Sequence, residues 1–173
     1  MRGNSPMIVQ RLDPTIHNRN SFDCGVPELN DYLAKQANQD VRRAAGGCWV
    51  AVAAVEDREV LGYYTLSAEA VEVSELPELP KSLGRKLPRY RRIGAALLGR
   101  LAVAKSAQGQ KIGERLLYDA LTRCLVSEIP FVVIVVDPKD DRAAEWYGRF
   151  GFRPMSGDRM VVTMAELRTY FAG

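Results

Sequence analysis

The sequence is poor in metal-binding and cross-linking side chains: one histidine and three cysteines in 173 residues. Cys24, Cys48 and Cys124 form an odd, widely spaced set without a C-x-x-C pair. This argues against a disulfide framework, leaves nothing with zinc-ligand spacing, and fits a reducing compartment. No stretch approaches the ~18 consecutive apolar residues of a membrane span, and no signal-type apolar segment follows the N-terminus. Neither charge dominates. The 24 Lys and Arg against 21 Asp and Glu leave +3, too mild to imply a nucleic-acid partner by itself. Internal repeats are absent as well. The expectation is a cytoplasmic, metal-free protein that makes no use of a membrane.

What is present is an ordinary globular composition, 47% hydrophobic and 26% charged, in a chain of single-domain length. We expect one domain over 1–173, with "MRGNSP" (1–6) as a loose polar leader. "MIVQRL" (7–12) alternates as a short strand. "PELNDYLAKQANQDV" (27–41) puts Leu29, Tyr32, Leu33, Ala37 and Val41 on one helical stripe behind Pro27. "GCWVAVAAV" (47–55) and "EVLGYYTLSAEA" (59–70) read as strands joined at "EDR". "IGAALLGRLAV" (93–103) is an apolar strand, and Ile112, Leu116, Leu117, Ala120, Leu121 and Cys124 mark the next helix. "PFVVIVVD" (130–137) is apolar at nearly every position, as a strand covered on both faces would be. A short helix up to Gly151 and a last strand, "RMVVTM" (159–164), complete the order β, α, β, β, β, α, β, α, β. The fold class is mixed α/β, with strands 93–103 and 130–137 parallel and joined through a helical crossover.

Gln108-Gly109-Gln110-Lys111-Ile112-Gly113 lies where the chain leaves a strand and begins a helix. The first N–H groups of a helix have no intrahelical partner and carry the positive end of its dipole, so a pyrophosphate suits this place. The loop is neither the ATP loop G-x-x-x-x-G-K-[ST] nor G-x-G-x-x-G. Taken alone it leaves open whether anything binds there.

Two motifs together change that. The loop, preceded by "GRLAV", resembles the coenzyme-A signature (Q/R)-x-x-G-x-(G/A) of the GNAT acetyltransferases. "AAEWYGRFGF" (143–152), about 35 residues later, is similar to the family's A-x-x-(F/W)-Y-x-x-x-G-F. One departure is Lys111, where the family usually has glycine. Its ammonium either adds a phosphate contact or its side chain reshapes the loop. "FDCGVPELNDYLAKQANQD", "GYYTLS" and "LLGRLAV" extend the likeness, over nearly the whole chain, to the TacT-like GNAT toxins of type II toxin–antitoxin modules. The resemblance implies a GNAT fold, a mostly antiparallel sheet with a splayed parallel pair at its centre and flanking helices. It implies acetyl transfer from acetyl-CoA to the α-amino group of aminoacyl-tRNA, a homodimer, and a ribbon-helix-helix antitoxin as partner. The alternatives are a GNAT enzyme acting on a protein N-terminus or a small amine, and a coenzyme-binding regulatory module without catalysis.

On that resemblance Leu101, Ala102 and Val103 pair with the pantetheine arm as an added strand would, and the Val103 N–H polarises the thioester carbonyl. Gln108, Gly109, Gln110, Lys111, Ile112 and Gly113 form the diphosphate loop. Tyr147 protonates the leaving thiolate, unless it is only a core aromatic between Trp146 and Phe150. An α-amino group with a pKa near 7.7–8.0 is already partly neutral at physiological pH, so a strong general base is dispensable.

Six of the twelve residues from Lys81 to Arg92 are basic and none is acidic: Lys81, Arg85, Lys86, Arg89, Arg91 and Arg92. Such a run is either a solvated loop or a surface for the phosphates of tRNA, with Tyr90 stacking on a base and Arg42 and Arg43 extending it. Glu69, Glu72, Glu75 and Glu78 precede it, so charge is segregated along the chain. Tyr63 and Tyr64 point to opposite faces of their strand, one to the core and one toward the acceptor. Cys24, His17 and Asp23 lack any supporting motif for a thiol nucleophile. Asp137, Asp140 and Asp141 suit helix capping better than metal binding.

Overall fold

The computed structural model describes residues 6–173, so the expected leader falls outside it except for Pro6. Seven strands form a sheet in the order β1-β2-β3-β4-β5-β7-β6. The chain makes two compact units. The first comprises the chain up to Ser67 with Arg100–Ala120, and the second Ala68–Gly99 with Leu121–Gly173.

In the first unit β1 (Ile8–Arg11), β2 (Gly47–Val52) and the start of β3 (Gly62–Glu72) run antiparallel, with Ile8 opposite Val52 and Trp49 opposite Tyr64. The stripe after Pro27 becomes three consecutive helical pieces: α1 (Pro27–Asp31), a π-helical turn (Tyr32–Gln36) and α2 (Ala37–Arg42). Leu33 and Ala37 are fully buried, as their spacing requires. Alternation along β3 is seen directly. The Tyr63 hydroxyl donates to the Leu29 carbonyl of α1 at 2.7 Å, whereas the Tyr64 hydroxyl donates to Asp119 of α4 (Ile112–Leu125) at 2.5 Å. Both tyrosines have 0% exposure, so neither is open toward an acceptor, contrary to the expectation for one of them.

The second unit carries the end of β3, most of β4 (Arg92–Val103), β5 (Val133–Val136), β6 (Arg153–Pro154) and β7 (Met160–Thr163). β4 and β5 are the parallel pair, from Ala95 opposite Val133 to Leu98 opposite Val136. β5 is buried at every position and pairs with β7 on its other edge, as its continuous apolar run predicts. Val71, Ile93, Ala95, Val133, Val135, Met155 and Val161 form one core cluster of this unit. The end of α4, the single turn α3 (Lys81–Gly84), α5 (Asp141–Gly148) and α6 (Met164–Ala172) also belong to it.

Two outcomes differ from the periodicity. β2 and β3 are separated by residues 53–61, a longer connection than "EDR", because the polar residues 56–59 cannot continue a ladder. α6, absent from the expected element order, begins at a reciprocal capping box of Thr163 and Glu166, a pattern visible in the sequence. Among the described residues no helix is long and apolar enough to cross a membrane.

Candidate active site

β4 ends at Val103, and the chain turns through a short 3-10 segment (Lys105–Ala107) before α4. The Ala104 N–H donates to Leu61 O at 2.8 Å, and the Lys105 N–H to Asp23 O at 2.8 Å. Gln108 braces the loop, its amide lying 3.2 Å from Val103 O and 3.4 Å from Cys24 O. Gly109 has φ +82, and a Cβ there would meet nothing within 4 Å. Conformation, not space, therefore favours glycine. Ile112 is 3% exposed, which fixes the first turn of α4 in the core and leaves only its backbone to face a ligand.

Lys111 has φ +58, one of two non-glycine residues with positive φ among the described residues. This explains why the signature prefers glycine at its position: the loop needs a left-handed backbone there. Lys111 adopts that conformation, so the loop is built in spite of the substitution, and its side chain is exposed. The Arg115 N–H closes onto Lys111 O at 3.1 Å, and the N–H groups of the first turn ahead of it have no acceptor within the helix.

The β4–β5 ladder stops at Leu98 and Val136, yet β4 runs unbroken through Gly99 to Val103. Leu101, Ala102 and Val103 thus follow the last residue of β4 that pairs with β5. Behind them, the packing is close: a Cβ on Gly62 would lie 2.8 Å from Ala102 O and 2.8 Å from Leu116 Cδ1.

In the second unit, Asp140 caps α5 by accepting from the Ala143 N–H at 2.8 Å. The helix carries Tyr147, 8% exposed, with its ring edge-on to Trp146 at 5.0 Å and to Phe152 at 5.5 Å. Burial pushes the phenol well above its ordinary value, so it is held neutral. Its hydroxyl has no hydrogen-bond partner among the described residues. Asp137 is taken up by Arg159, which spans it at 2.8 and 3.1 Å and reaches Glu69 at 2.6 Å. Among the described residues no group of three or more His, Cys, Asp or Glu could hold a metal ion.

Lys81, Arg85, Lys86, Arg89, Arg91 and Arg92 are all exposed, as is Tyr90 at 74%. Arg91 is the one engaged by a carboxylate, Glu72 at 3.4 Å. Lys86 also lines a cleft of about 480 Å³ with Ala165, Arg168 and Thr169 of α6. Arg168 is a cation that the linear run could not reveal, because it lies about 80 residues downstream.

The first unit thus carries a loop with left-handed positions at a helix start, and the second a buried tyrosine on a capped helix, in a mixed α/β sheet with one parallel strand pair. The model of the Acetyltransferase (GNAT) family matches residues 14–152, and the chain belongs to that family. A "tRNA-acetylating toxin" of Mycobacterium tuberculosis (strain ATCC 25618 / H37Rv) is 33% identical over 86% of this chain and 87% of its own. The structure of AtaT complexed with acetyl-methionyl-tRNAfMet superposes with a TM-score of 0.85 at 26% identity, covering 95% of this chain and 99% of that one. AtaTR bound with AcCoA gives a TM-score of 0.81 at 27% identity, over 96% and 98%.

Proposed function

We propose that the protein is a toxin N-acetyltransferase that moves acetyl from acetyl-CoA to the α-amino group of aminoacyl-tRNA and so blocks translation. It acts in the cytoplasm as a single acetyltransferase domain, forms a homodimer, and is neutralised by a ribbon-helix-helix antitoxin. The observation that carries this is the loop at 108–113. Two left-handed positions on either side of Gln110, Gly109 and Lys111, support a diphosphate cradle even where the signature residue is replaced. The matched relatives, named for tRNA acetylation and for an acetylated methionyl-tRNA, support the acceptor.

Bound acetyl-CoA supplies the acetyl group activated as a thioester. Backbone N–H groups from Gly109 to Gly113 hold its diphosphate, with the Lys111 ammonium beside them. Leu101–Val103 offer alternating N–H and C=O groups to the pantetheine, and the Val103 N–H donates to the thioester oxygen as negative charge develops there. The neutral α-amine attacks the thioester carbon, the new N–C bond replaces the C–S bond, and Tyr147 gives its proton to the departing sulfur while the proton shed by the acylated nitrogen returns the phenol to its neutral form. A phenol at ~10 is a weaker acid than a free thiol at ~8.5, so burial decides whether the transfer is feasible. Burial pushes the Tyr147 phenol up, as it does the buried thiols Cys48 and Cys124, so it keeps the phenol neutral and disfavours a bare thiolate in the same surroundings. The exposed cations from Lys81 to Arg92 hold the tRNA backbone.

Tyr147→Phe tests the chemistry. Its hydroxyl has no protein partner, so stability stays within about 0.5 kcal/mol of wild type, while kcat falls on the order of 10²–10⁴-fold. Labelled acetyl-CoA marks charged tRNA only, and mild base releases that label with the ester. Label on a peptide N-terminus or a polyamine, with charged tRNA unmarked, replaces the acceptor; unchanged turnover in Tyr147→Phe removes the acid.

A further inference from the structure

We infer that Arg100 is a positioning residue whose guanidinium binds a phosphodiester at the 3′ end of the acceptor RNA; this rests on the acceptor class proposed above. Arg100 lies on β4, one residue before Leu101, and is half-buried in the first unit. Its guanidinium carbon sits 3.5 Å from the centroid of the Tyr32 ring, a close face-on stack. That shelf is rigid. Tyr32 opens the π-helical turn, a local irregularity that recurs at functional sites. The ring lies nearly parallel to Tyr63 at 6.3 Å and 16°, and Tyr63 is itself tied to Leu29.

Among the described residues no carboxylate is within ion-pair distance of Arg100. Other partly buried arginines differ: Arg153 pairs with Glu166 at 2.7 Å, and Arg159 with Glu69 and Asp137. Asp40 is the acidic group of this neighbourhood, and it is occupied elsewhere. It accepts from the Tyr32 hydroxyl at 2.8 Å and from the Gln36 amide at 3.0 Å. Those bonds hold its carboxyl below the usual range, and Arg100 adds to the effect from a distance. A cation drawn partly out of water without a counter-charge is costly, unless the site is completed by an anion from outside. Stacking on Tyr32 uses the flat face of the guanidinium and leaves its in-plane N–H donors, the arrangement that grips two phosphate oxygens at once.

The position along β4 selects the anion. At about 3.3 Å per residue, Arg100 lies roughly 10 Å back from Val103, on the side away from the loop at 108–113. The coenzyme diphosphate is therefore out of its reach. What remains is the substrate that receives the acetyl group, and the anion nearest an aminoacyl ester on RNA is the last internucleotide phosphate.

The test is binding of the uncharged RNA trinucleotide CCA, by calorimetry at several salt concentrations, to wild type, Arg100→Gln, Arg100→Lys and Tyr32→Phe. Arg100→Gln is expected to weaken binding about 10- to 100-fold, the worth of a charge-assisted pair. The slope of log K against log salt becomes less negative by about 0.7, one phosphate on a single strand. Arg100→Lys retains the slope at reduced affinity, and Tyr32→Phe, which keeps the ring but releases Asp40 to compete for the guanidinium, binds more weakly than wild type. With charged tRNA, Arg100→Gln raises KM and leaves kcat within about twofold. An unchanged slope in an Arg100→Gln protein that melts like wild type overturns the inference, since loss of packing alone does not alter counterion release. So does failure of the wild type to bind CCA. If CCA binds through Arg100 but charged tRNA takes no label, the phosphate subsite stands and the acceptor proposed above falls.

Discussion

At the scale of single residues, two side chains carry measurable tension between sequence and backbone. Lys111 occupies a left-handed conformation that costs an L-residue about 1–2 kcal/mol. Lys111→Gly removes that strain but adds ~0.4–1 kcal/mol of unfolded-state freedom. The net expectation is a gain of up to about 1 kcal/mol in urea unfolding. Because the ammonium is exposed, acetyl-CoA affinity falls by no more than about fivefold. His17 is the second case. Buried at 3% exposure, its Nδ1 accepts from the Asp13 N–H at 2.9 Å, which requires a neutral ring. Burial lowers its pKa below 6.5, and the nearby Asp13 only partly opposes this. The unfolded chain thus binds this proton first as pH falls. Stability declines from about pH 6.5 downward, until the folded histidine also titrates. Asp13, Asp23 and Asp40 are shifted down and keep their contributions until nearer pH 3.8, so this upper window belongs to His17. Thermal melts of His17→Asn are expected to be flat between pH 6.5 and 5, where wild type loses up to about 1.4 kcal/mol per pH unit.

At the scale of elements, the strands and long helices were legible because burial imposes periodicity. The run 130–137 announced a central strand, and 112–124 announced a one-faced helix. The pair of short motifs located the loop and Tyr147. What escaped notice has local causes. β6 is two residues long, too short to show alternation, and the π-helical turn shifts the stripe of 27–42 without changing which residues are apolar. For Tyr63 and Tyr64 the sequence shows that they face apart but not that helices cover both faces, so one core and one acceptor residue are expected where both are buried. Arg100 was hidden inside an apolar strand, its meaning dependent on a ring 68 residues earlier. The close approach at Gly62 was equally invisible. Gly62→Ala forces either Leu116 or the main chain of Ala102 to move. It is expected to cost about 1–3 kcal/mol and to weaken acetyl-CoA binding, because the displaced strand is the one that would hold pantetheine. Calorimetric titration of the folded variant checks the second effect apart from the first.

At the scale of the whole molecule, a net charge of +3 conceals segregation. The acidic stretch is largely absorbed at home: Glu69 by Arg159, Glu72 by Arg91, and the Glu75 side chain by the Glu72 N–H. Among the described residues Arg91 alone of the six cations of 81–92 is paired with a carboxylate, and the others face solvent. If four of them touch phosphates, log K for tRNA falls against log salt with a slope near −3. Neutralising Arg85, Lys86 and Arg89 together brings it near −1, and a salt-insensitive affinity removes the connector from the interface. The overhang of β4 beyond its parallel neighbour has a consequence of a different kind. If its main-chain donors and acceptors hold the slender thiol-bearing arm as proposed, they will also accept an extended polypeptide of suitable shape. A preparation stripped of coenzyme thus carries a sticky seam that loading covers, and a short peptide cut to that seam would plug the enzyme without resembling either of its substrates.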